Sequence, residues 1–211
     1  MWYVVSRMLI NPSIFEKVKA ANAQLVAVTK YLDATDTQMV FEKYKAHGLV
    51  CGFGENRTET LKEKGIPRAK THYIGRLQSR KLPVIVEHCS VIHSLDNLKH
   101  AEIINTQAHQ TECFIQVNVS GDPDKGGITP QELPLFLANV GKLPNLEIVG
   151  LSSMGWGEFE YDEKVQEFQT LVALRDQFLP NGLTSAGTSR DYQIALAQGI
   201  DVVRVGSDLF V

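Results

Sequence analysis

The sequence contains few cysteines and no metal-binding motif, and these shortages exclude disulfide-stabilised proteins and metalloproteins. Only three cysteines, Cys51, Cys89 and Cys113, occur in 211 residues, widely spaced and without a CxxC pair. Cys51 and Cys113 lie in apolar runs typical of strands, so we expect buried thiols in a reducing, cytoplasmic compartment rather than a disulfide framework. The histidines form neither an HxxxH nor an HExxH motif, so no metal site is predicted.

The charge balance and the hydropathy exclude two further kinds of partner. The net charge is −3 and the pI is near 6.1, so no basic field is expected to bind nucleic acid or an anionic membrane. No apolar stretch approaches the roughly 20 residues of a membrane-spanning helix. Arg7 interrupts the apolar residues 1–10, which we interpret as the start of an amphipathic segment rather than a signal sequence. With 44% hydrophobic residues, the chain is predicted to form a single domain over residues 1–211.

Eight short apolar runs alternate with segments of helical periodicity. The predicted strands cover residues 25–28, 49–51, 72–75, 90–95, 113–119, 146–151, 183–185 and 201–205, with a loop expected at 52–56. The predicted helices cover residues 12–23, 36–45, 58–64, 130–141, 162–178 and 191–198. This alternation is typical of a parallel α/β sheet, either open and doubly wound or closed as a (β/α)8 barrel. The count of eight, and the lack of a GxGxxG turn after the first strand, favour the TIM-type barrel.

Lys30 directly follows the first predicted strand, and the carboxyl ends of barrel strands are where functional residues lie. A desolvated amine loses proton affinity, and a neutral amine can attack an aldehyde to form an imine. Among the 21 lysines and arginines, Lys30 is the one that we expect to be desolvated and aimed in this way. The alternative is a lysine whose stem packs at the strand end while its ammonium stays in water.

Small and hydroxyl-bearing residues follow the seventh and eighth predicted strands, at 185–189 and 206–207. The loops after these strands commonly hold a phosphate in barrels, through backbone N–H groups. Ser189 also precedes a predicted helix, whose amino terminus favours an anion. The alternative for Thr188 and Ser189 is plain N-capping of the helix that begins at Asp191, and the two roles are compatible.

Arg204 ends the eighth predicted strand, where a buried guanidinium needs an acceptor. The acceptor is either a carboxylate of Asp201, Asp191 or Glu55, or the ring nitrogen of a cofactor, which an adjacent arginine would keep unprotonated. In a closed barrel the first and last strands are neighbours, so Lys30, the hydroxyl-rich loops and Arg204 converge. Pyridoxal 5′-phosphate (PLP) fits all three. An unrelated phosphorylated ligand, with Lys30 as a charge partner only, remains the other interpretation.

Several segments match a known family in order along nearly the whole chain. They are Val26 to Lys30, Phe53 to Asn56, His72 to Ser79, His93 to Asp96, Val117 to Ser120 with Lys125 to Gly127, Gly150 and Leu151, Ser185 to Asp191, and Arg204 to Ser207. The FGEN segment and the HxIGxLQSxK-like segment are the most specific. The chain therefore resembles the pyridoxal phosphate homeostasis proteins of the YggS or PROSC type. This resemblance implies an alanine-racemase-like barrel (PLP fold type III) without that enzyme's second, all-β domain.

The resemblance also implies roles for individual residues. Lys30 is similar to the Schiff-base lysine, Asn56 to the residue that lines the cofactor ring, and Arg204 to the partner of the pyridine nitrogen. The implied phosphate cradle consists of Ser185, Ser189, Gly206 and Ser207. The chain departs from the family at Ala186 and Thr188, where methionines are common, and at Ser207, where threonine is common.

The function that the resemblance implies is PLP binding within vitamin B6 homeostasis, with PLP delivery to apo-enzymes, by a monomer that is not an enzyme. The alternative is a PLP-dependent amino-acid racemase, which needs an acid or base on each face of the cofactor. Lys30 would serve one face, and Tyr31, Tyr73 and Tyr192 are candidates for the other. The lack of a second domain favours the binding protein over the racemase.

Overall fold

The computed structural model describes residues 10–154 and 160–210, which form a closed barrel of eight parallel strands in chain order. The strands are β1 (Gln24–Val28), β2 (Val50–Glu55), β3 (Thr71–Tyr73), β4 (Val91–Leu95), β5 (Thr111–Gln116), β6 (Leu146–Ser152), β7 (Leu183–Ser185) and β8 (Val202–Val205). Parallel pairing of β1 with β8 closes the barrel. The predicted (β/α)8 barrel is confirmed, and the open doubly wound sheet is wrong.

Helices on the outside of the barrel connect the strands. They are α1 (Pro12–Ala20), α2 (Ala34–Tyr44), α3 (Leu61–Lys64), α4 (Leu82–His88), α5 (Leu98–Asn105), α6 (Leu133–Val140), α7 (Tyr161–Phe178) and α8 (Tyr192–Ala197). Helices α4 and α5 were not predicted. The apolar, partly β-branched residues of α4 lack a clear helical period, whereas α5 buries Ala101 and Ile104 on one face. Within the described residues, no helix is long and apolar enough to cross a membrane.

Polar side chains set the starts of several helices. The Asn11 side chain accepts a hydrogen bond from the Ser13 amide at the start of α1. The Asp33 carboxylate accepts one from the Asp36 amide at the start of α2, so this helix begins before the predicted residue 36. Glu160 and Glu163 form a capping box at the start of α7. These caps fix where each connection leaves the barrel rim.

The predicted loop at residues 52–56 is wrong, because β2 continues through Glu55. Its glycines serve close packing rather than a turn. A Cβ built on Gly52 would clash with the imidazole of His72, and one on Gly54 would lie 3.0 Å from the Val26 side chain. In contrast to β2, which is longer than predicted, β5 ends early: its last residue is Gln116, where residue 119 was predicted.

Strand alternation separates two apolar clusters. The larger cluster lies between the barrel and its helices. The smaller one fills part of the barrel interior and consists of Val26, Val28, Val91, Phe114 and Val202. The rest of the interior is polar. The side chains of His72, His93, Ser185 and Arg204 are all buried there, because strand alternation points them into the barrel. The polar part of the interior lies beneath the carboxyl ends of the strands.

The cysteines are free thiols, as expected. Cys89 and Cys113 are buried, whereas Cys51 is only half-buried. Burial raises the pKa of all three thiols, that of Cys51 to about 12, so they stay protonated at neutral pH. The predicted amphipathic segment lies outside the described residues except for Ile10, which forms an antiparallel bridge with Phe210.

Candidate functional site

A cavity of about 540 Å³ opens at the carboxyl ends of the strands. Six of the predicted site residues line it: Lys30, Asn56, Ser189, Arg204, Gly206 and Ser207. They come from the ends of β1, β2 and β8 and from the loop after β7, which the closed barrel places side by side. Ser185 is the predicted site residue that does not line the cavity.

Lys30 stands at the cavity wall, two residues beyond the end of β1. Its side chain is half-buried, and its Nζ lies 4.9 Å from the centre of the Tyr31 ring. A cation over an aromatic face is attracted by the ring quadrupole. The amine is therefore held at the mouth of the cavity, accessible to a ligand that enters there.

The expectation that Lys30 alone would be desolvated is wrong. Lys64, Lys125 and Lys164 are each less than 10% exposed, and Lys30 is more exposed than any of them. Lys64 and Lys125 are buried against carboxylates that lie elsewhere in the chain, Glu55 and Glu167. Sequence spacing could not reveal these tertiary pairs.

A buried ion pair between Glu55 and Lys64 lies next to Lys30 in the fold. Together with Thr29, which hydrogen-bonds to both residues, we call it the Glu55 cluster. The Lys64 Nζ donates to Glu55 Oε1 at 2.7 Å and to the Thr29 carbonyl at 2.8 Å. The Thr29 hydroxyl donates to the same Oε1 at 2.6 Å. Because Thr29 precedes Lys30 in the chain, the cluster fixes the backbone from which the Lys30 side chain leaves the barrel.

Arg204 is buried in the floor of the cavity and has no carboxylate partner among the described residues. Its Nη1 donates to the carbonyl and the hydroxyl of Ser185, at 2.6 and 2.8 Å, and its Nη2 donates to the Ser153 carbonyl at 2.8 Å. Burial lowers the pKa of Arg204 to about 10, against the opposing fields of Asp191 and Glu167. The guanidinium therefore remains charged at neutral pH.

The three carboxylates considered as alternative partners of Arg204 are engaged elsewhere, so the ion-pair interpretation is wrong. Asp201 pairs with Arg175 at 2.8 Å, and Glu55 pairs with Lys64. The Asp191 carboxylate accepts hydrogen bonds from the amide and the hydroxyl of Thr188, at 2.6 and 3.1 Å. The remaining interpretation of Arg204 is a partner for a ligand in the cavity.

Ser185 belongs to a chain of hydrogen bonds inside the barrel and is not positioned as part of a phosphate cradle. We call this the interior chain: His72, His93, Ser185 and Arg204. Nδ1 of His72 lies 3.0 Å from Nε2 of His93, and Nδ1 of His93 lies 2.8 Å from Oγ of Ser185, which accepts from Arg204. Ser185 is the last residue of β7, and strand alternation turns its side chain inward, below the cavity.

Both histidines of the interior chain are neutral. Burial lowers the pKa of His72 to about 4 and lowers that of His93 well below its ordinary value, with nearby Lys70 acting in the same direction on His72. His72 and His93 were not among the predicted site residues. The sequence feature that could have identified His72 is its position between Thr71 and Tyr73 in a strand, where alternation places it on the inner face.

The loops after β7 and β8 meet through Ser189. Its hydroxyl accepts hydrogen bonds from the amides of Gly206 and Asp208, at 3.1 and 3.4 Å. Within residues 10–154 and 160–210, the amides of Ser189, Arg190 and Ser207 donate to no protein acceptor. These N–H groups lie on two facing loops, which is the arrangement that cradles a phosphate.

The N-capping interpretation of Thr188 and Ser189 is wrong. Helix α8 begins at Tyr192, spans 6 residues and has no side-chain cap, while the Thr188 hydroxyl donates to Asp191. Thr188 itself lines the cavity, and Ala186 is fully buried beneath it. The loop amides, rather than a helix terminus, are therefore the groups available to an anion.

Asn56 forms part of the opposite wall, at the end of β2. Its Oδ1 is buried and has no hydrogen-bond partner among the described residues, while its carbonyl accepts from the Tyr73 hydroxyl at 3.3 Å. Gly75 packs against the same carbonyl, which a Cβ there would approach to 2.7 Å. A buried polar atom without a partner is costly, so Asn56 is suited to a ligand group that hydrogen-bonds to it.

Comparison with known proteins places the chain among PLP-associated barrels. Residues 8–211 match the family model described as alanine racemase, N-terminal domain. The chain is 31% identical over 205 residues to the pyridoxal phosphate homeostasis protein of Vibrio alginolyticus, covering 90% of this chain and 86% of that protein.

Two solved structures have the same barrel. The structure of PipY from Synechococcus elongatus with PLP bound is 25% identical, covers 94% of this chain and 100% of that chain, and has a TM-score of 0.73. The lysine/ornithine decarboxylase of Vibrio vulnificus is 17% identical, covers 92% of this chain and 60% of that chain, and has a TM-score of 0.68. The latter likeness shows a shared fold alone.

Proposed function

This chain belongs to the alanine racemase N-terminal domain family and to the pyridoxal phosphate homeostasis proteins, and from this membership we propose that it binds PLP through a Schiff base with Lys30. The observation that carries the proposal is the shared cavity. It brings together an amine at Lys30, a buried guanidinium at Arg204 and free loop amides at Ser189 and Ser207. These groups match the aldehyde, the pyridine nitrogen and the phosphate of PLP.

The residues present fit the cofactor. PLP brings a reactive aldehyde, which condenses with amines. The amides of Ser189, Arg190 and Ser207 would bind the phosphate, and Asn56 would hydrogen-bond a polar substituent of the ring. Arg204 has donors and no acceptor, so it would donate to the ring nitrogen and keep that nitrogen unprotonated. Ser185 would act only through Arg204.

We propose that the protein holds PLP in reserve and releases it to apo-enzymes, as its homologues' name of homeostasis proteins suggests. The cavity is open and Lys30 is half-exposed, so the cofactor would remain within reach of other amines. The match covers 100% of the PipY chain and 94% of this chain, so the two barrels are of similar size. This similarity supports a single PLP-binding domain over residues 1–211. A cytoplasmic monomer is part of the same proposal.

Two of the three tyrosines considered as the second acid or base of a racemase are not placed for that role. Of the candidate tyrosines, Tyr73 is buried and donates to the Asn56 carbonyl, and Tyr192 is buried and does not line the cavity. Tyr31 lines the cavity but is 73% exposed and lies against the Lys30 ammonium. Stereochemical turnover of an amino acid by the PLP-loaded protein, lost in Lys30→Ala, is the result that would favour the racemase.

The proposal is tested by absorbance spectroscopy of the purified protein with added PLP. We expect a visible imine band in the wild type and its loss in Lys30→Arg, which keeps the cation but cannot form the imine. Lys62→Ala, at an exposed lysine outside the cavity, is the matched control and should keep the band. Folded wild-type protein without the band would contradict the proposal and would point to another phosphorylated ligand.

A further inference from the structure

The hydroxyl of Ser185 makes two hydrogen bonds in the interior chain and has a single hydrogen to donate. Arg204 Nη1 lies 2.8 Å from Oγ of Ser185 and has no lone pair to offer, so Oγ accepts there. His93 Nδ1 lies 2.8 Å from the same oxygen, and this contact has two possible directions. Either the Ser185 hydroxyl donates to Nδ1, or a protonated Nδ1 donates to the hydroxyl.

Two observations select the first direction. Ser185 is completely buried, and among the described residues its Oγ has no third partner, so the second direction leaves the hydroxyl hydrogen without an acceptor. A buried donor left unpaired is costly. The positive guanidinium of Arg204 also repels the hydroxyl hydrogen and turns it towards His93. Nδ1 of His93 is therefore an unprotonated acceptor.

The same reasoning extends to the second histidine of the interior chain. Burial lowers the pKa of both imidazoles, so each is neutral and carries one ring hydrogen on nitrogen. Because Nδ1 of His93 is unprotonated, its hydrogen is on Nε2, which donates to His72 Nδ1 at 3.0 Å. The hydrogen of His72 is then on its own Nε2, on the ring that a Cβ at Gly52 would meet. Every hydrogen bond of the interior chain thus points away from Arg204.

Ser185 in turn restrains the guanidinium of Arg204. Nη1 donates to the carbonyl and the hydroxyl of Ser185, and Nη2 donates to the Ser153 carbonyl. Nε has no hydrogen-bond partner within the described ranges, and Arg204 lines the cavity. Because both terminal nitrogens are held, the orientation of the planar group is determined, and its Nε–H remains available to a ligand.

We propose that His93, supported by His72, is a positioning residue for Arg204. By accepting the Ser185 hydrogen, Nδ1 of His93 turns a lone pair of Oγ towards the guanidinium, and His72 holds His93 in the required tautomer by accepting from Nε2. The ring of Phe114 stacks on that of His93 at 4.6 Å and keeps the imidazole in this plane. The orientation of Arg204 follows from the interior chain alone, whereas its use by PLP rests on the proposed function.

Nitrogen NMR of the cofactor-free protein with isotope-labelled histidine tests the tautomers. At neutral pH we expect His72 and His93 to carry hydrogen on Nε2 and none on Nδ1. We also expect a scalar coupling across the hydrogen bond between Nε2 of His93 and Nδ1 of His72, because these two nitrogens share a hydrogen. The variants H72N and H93N assign the signals. Hydrogen on Nδ1 of His93, or no coupling between the two rings, would overturn the inference.

Two substitutions at His93 separate positioning from packing. H93N places an amide oxygen near the position of Nδ1, where it still accepts from Ser185, whereas H93Q places its amide near Nε2 and leaves the Ser185 hydroxyl without an acceptor. Both remove the ring that stacks on Phe114, so both should lose stability. The guanidinium hydrogens of Arg204, followed by NMR, should exchange with water about tenfold faster in H93Q than in the wild type or H93N, because one hydrogen bond is lost.

The affinity for PLP gives a second readout. By absorbance titration, H93N should lose no more than about threefold in affinity and H93Q about tenfold, the factor expected for one hydrogen bond. H109Q, at an exposed histidine outside the cavity, is the control and should bind as the wild type does. Equal affinities in H93N and H93Q, with equal hydrogen exchange at Arg204, would refute the positioning role. A wild type with the expected tautomers and no PLP binding would confirm the interior chain and contradict the proposed function.

Discussion

At the scale of single residues, Arg204 donates to neutral oxygens and not to any of the three carboxylates considered as its partners. Three of its four described contacts are with oxygens of Ser185 and Ser153. A guanidinium without a counterion keeps its charge available for a ligand in the cavity. Because a buried charge is costly, it must then make all of those hydrogen bonds. The same hydrogen bonds therefore determine both the stability of the floor and its chemistry.

Ser185→Ala should expose this dependence. It removes the hydroxyl that accepts from Arg204 and meets His93, leaving buried polar groups unsatisfied. We expect a loss of about 1–3 kcal/mol in the free energy of unfolding, together with weaker PLP binding. Urea denaturation measures the first and titration with PLP the second. Ser207→Ala, at an exposed hydroxyl, should leave the free energy of unfolding nearly unchanged, and a loss equal to that of Ser185→Ala would contradict the account.

The interior histidines predict a pH dependence of stability. The pKa of His72 is lowered from 6.5 to about 4 on folding, so between these values the unfolded chain binds a proton that the folded protein does not. Stability should therefore fall as the pH drops through this range, by about 1.4 kcal/mol per pH unit for each such histidine. His93 contributes in the same direction.

Denaturation at several pH values between 7 and 4 checks this sign. His72→Asn keeps a polar group near Nδ1 and removes the titration, so its stability should fall less steeply with acid. His109→Asn, at an exposed histidine, should keep the wild-type slope. A His72→Asn slope equal to that of the wild type would show that His72 is not buried in its neutral form.

Residue roles at strand ends could be predicted from the sequence, but side-chain direction could not be predicted everywhere. Lys30, Ser189 and Arg204 follow strands or end them, and each lines the cavity as the barrel topology requires. Ser185 was assigned to the wrong place because β7 has only 3 residues, too few for alternation to show which face it turns inward. The resemblance carried its phosphate role to a residue that instead supports Arg204.

At the scale of elements, the Glu55 cluster joins the ends of β1 and β2 to α3. It explains why β2 continues through Glu55, where the glycines suggested a loop. Helices α4 and α5 were missed because short helices with β-branched residues resemble strands in a single sequence. Contacts between distant residues fix the bounds of these elements, and local propensity does not reveal such contacts.

Breaking the cluster should destabilise the protein strongly. Lys64→Met leaves Glu55 buried without a counterion, which typically costs about 3–5 kcal/mol in the free energy of unfolding. The double variant Glu55→Gln, Lys64→Met should recover much of this loss. Lys81→Met breaks a pair with the exposed Glu59 and should change stability little. Urea denaturation of the four proteins measures this, and a Lys64→Met variant as stable as Lys81→Met would contradict the role of the cluster.

At the scale of the whole molecule, eight βα units place residues distant in sequence around one cavity. The alternation of strands and helices predicted this architecture, and the family comparison agrees with it over residues 8–211. The interior chain and the Glu55 cluster could not be predicted, because each depends on contacts between residues 9 to 92 positions apart. Those contacts fix the position of Arg204 and of the backbone beside Lys30.

The central claim is that Lys30, and no other lysine, holds the cofactor. Its most direct test is borohydride reduction of the PLP-loaded protein followed by digestion and mass spectrometry of the peptides. We predict a phosphopyridoxyl group on the peptide that contains Lys30 and unmodified lysine at Lys64, which is buried in its ion pair. Modification spread over several exposed lysines, or located at Lys64 with Lys30 unmodified, would contradict the account.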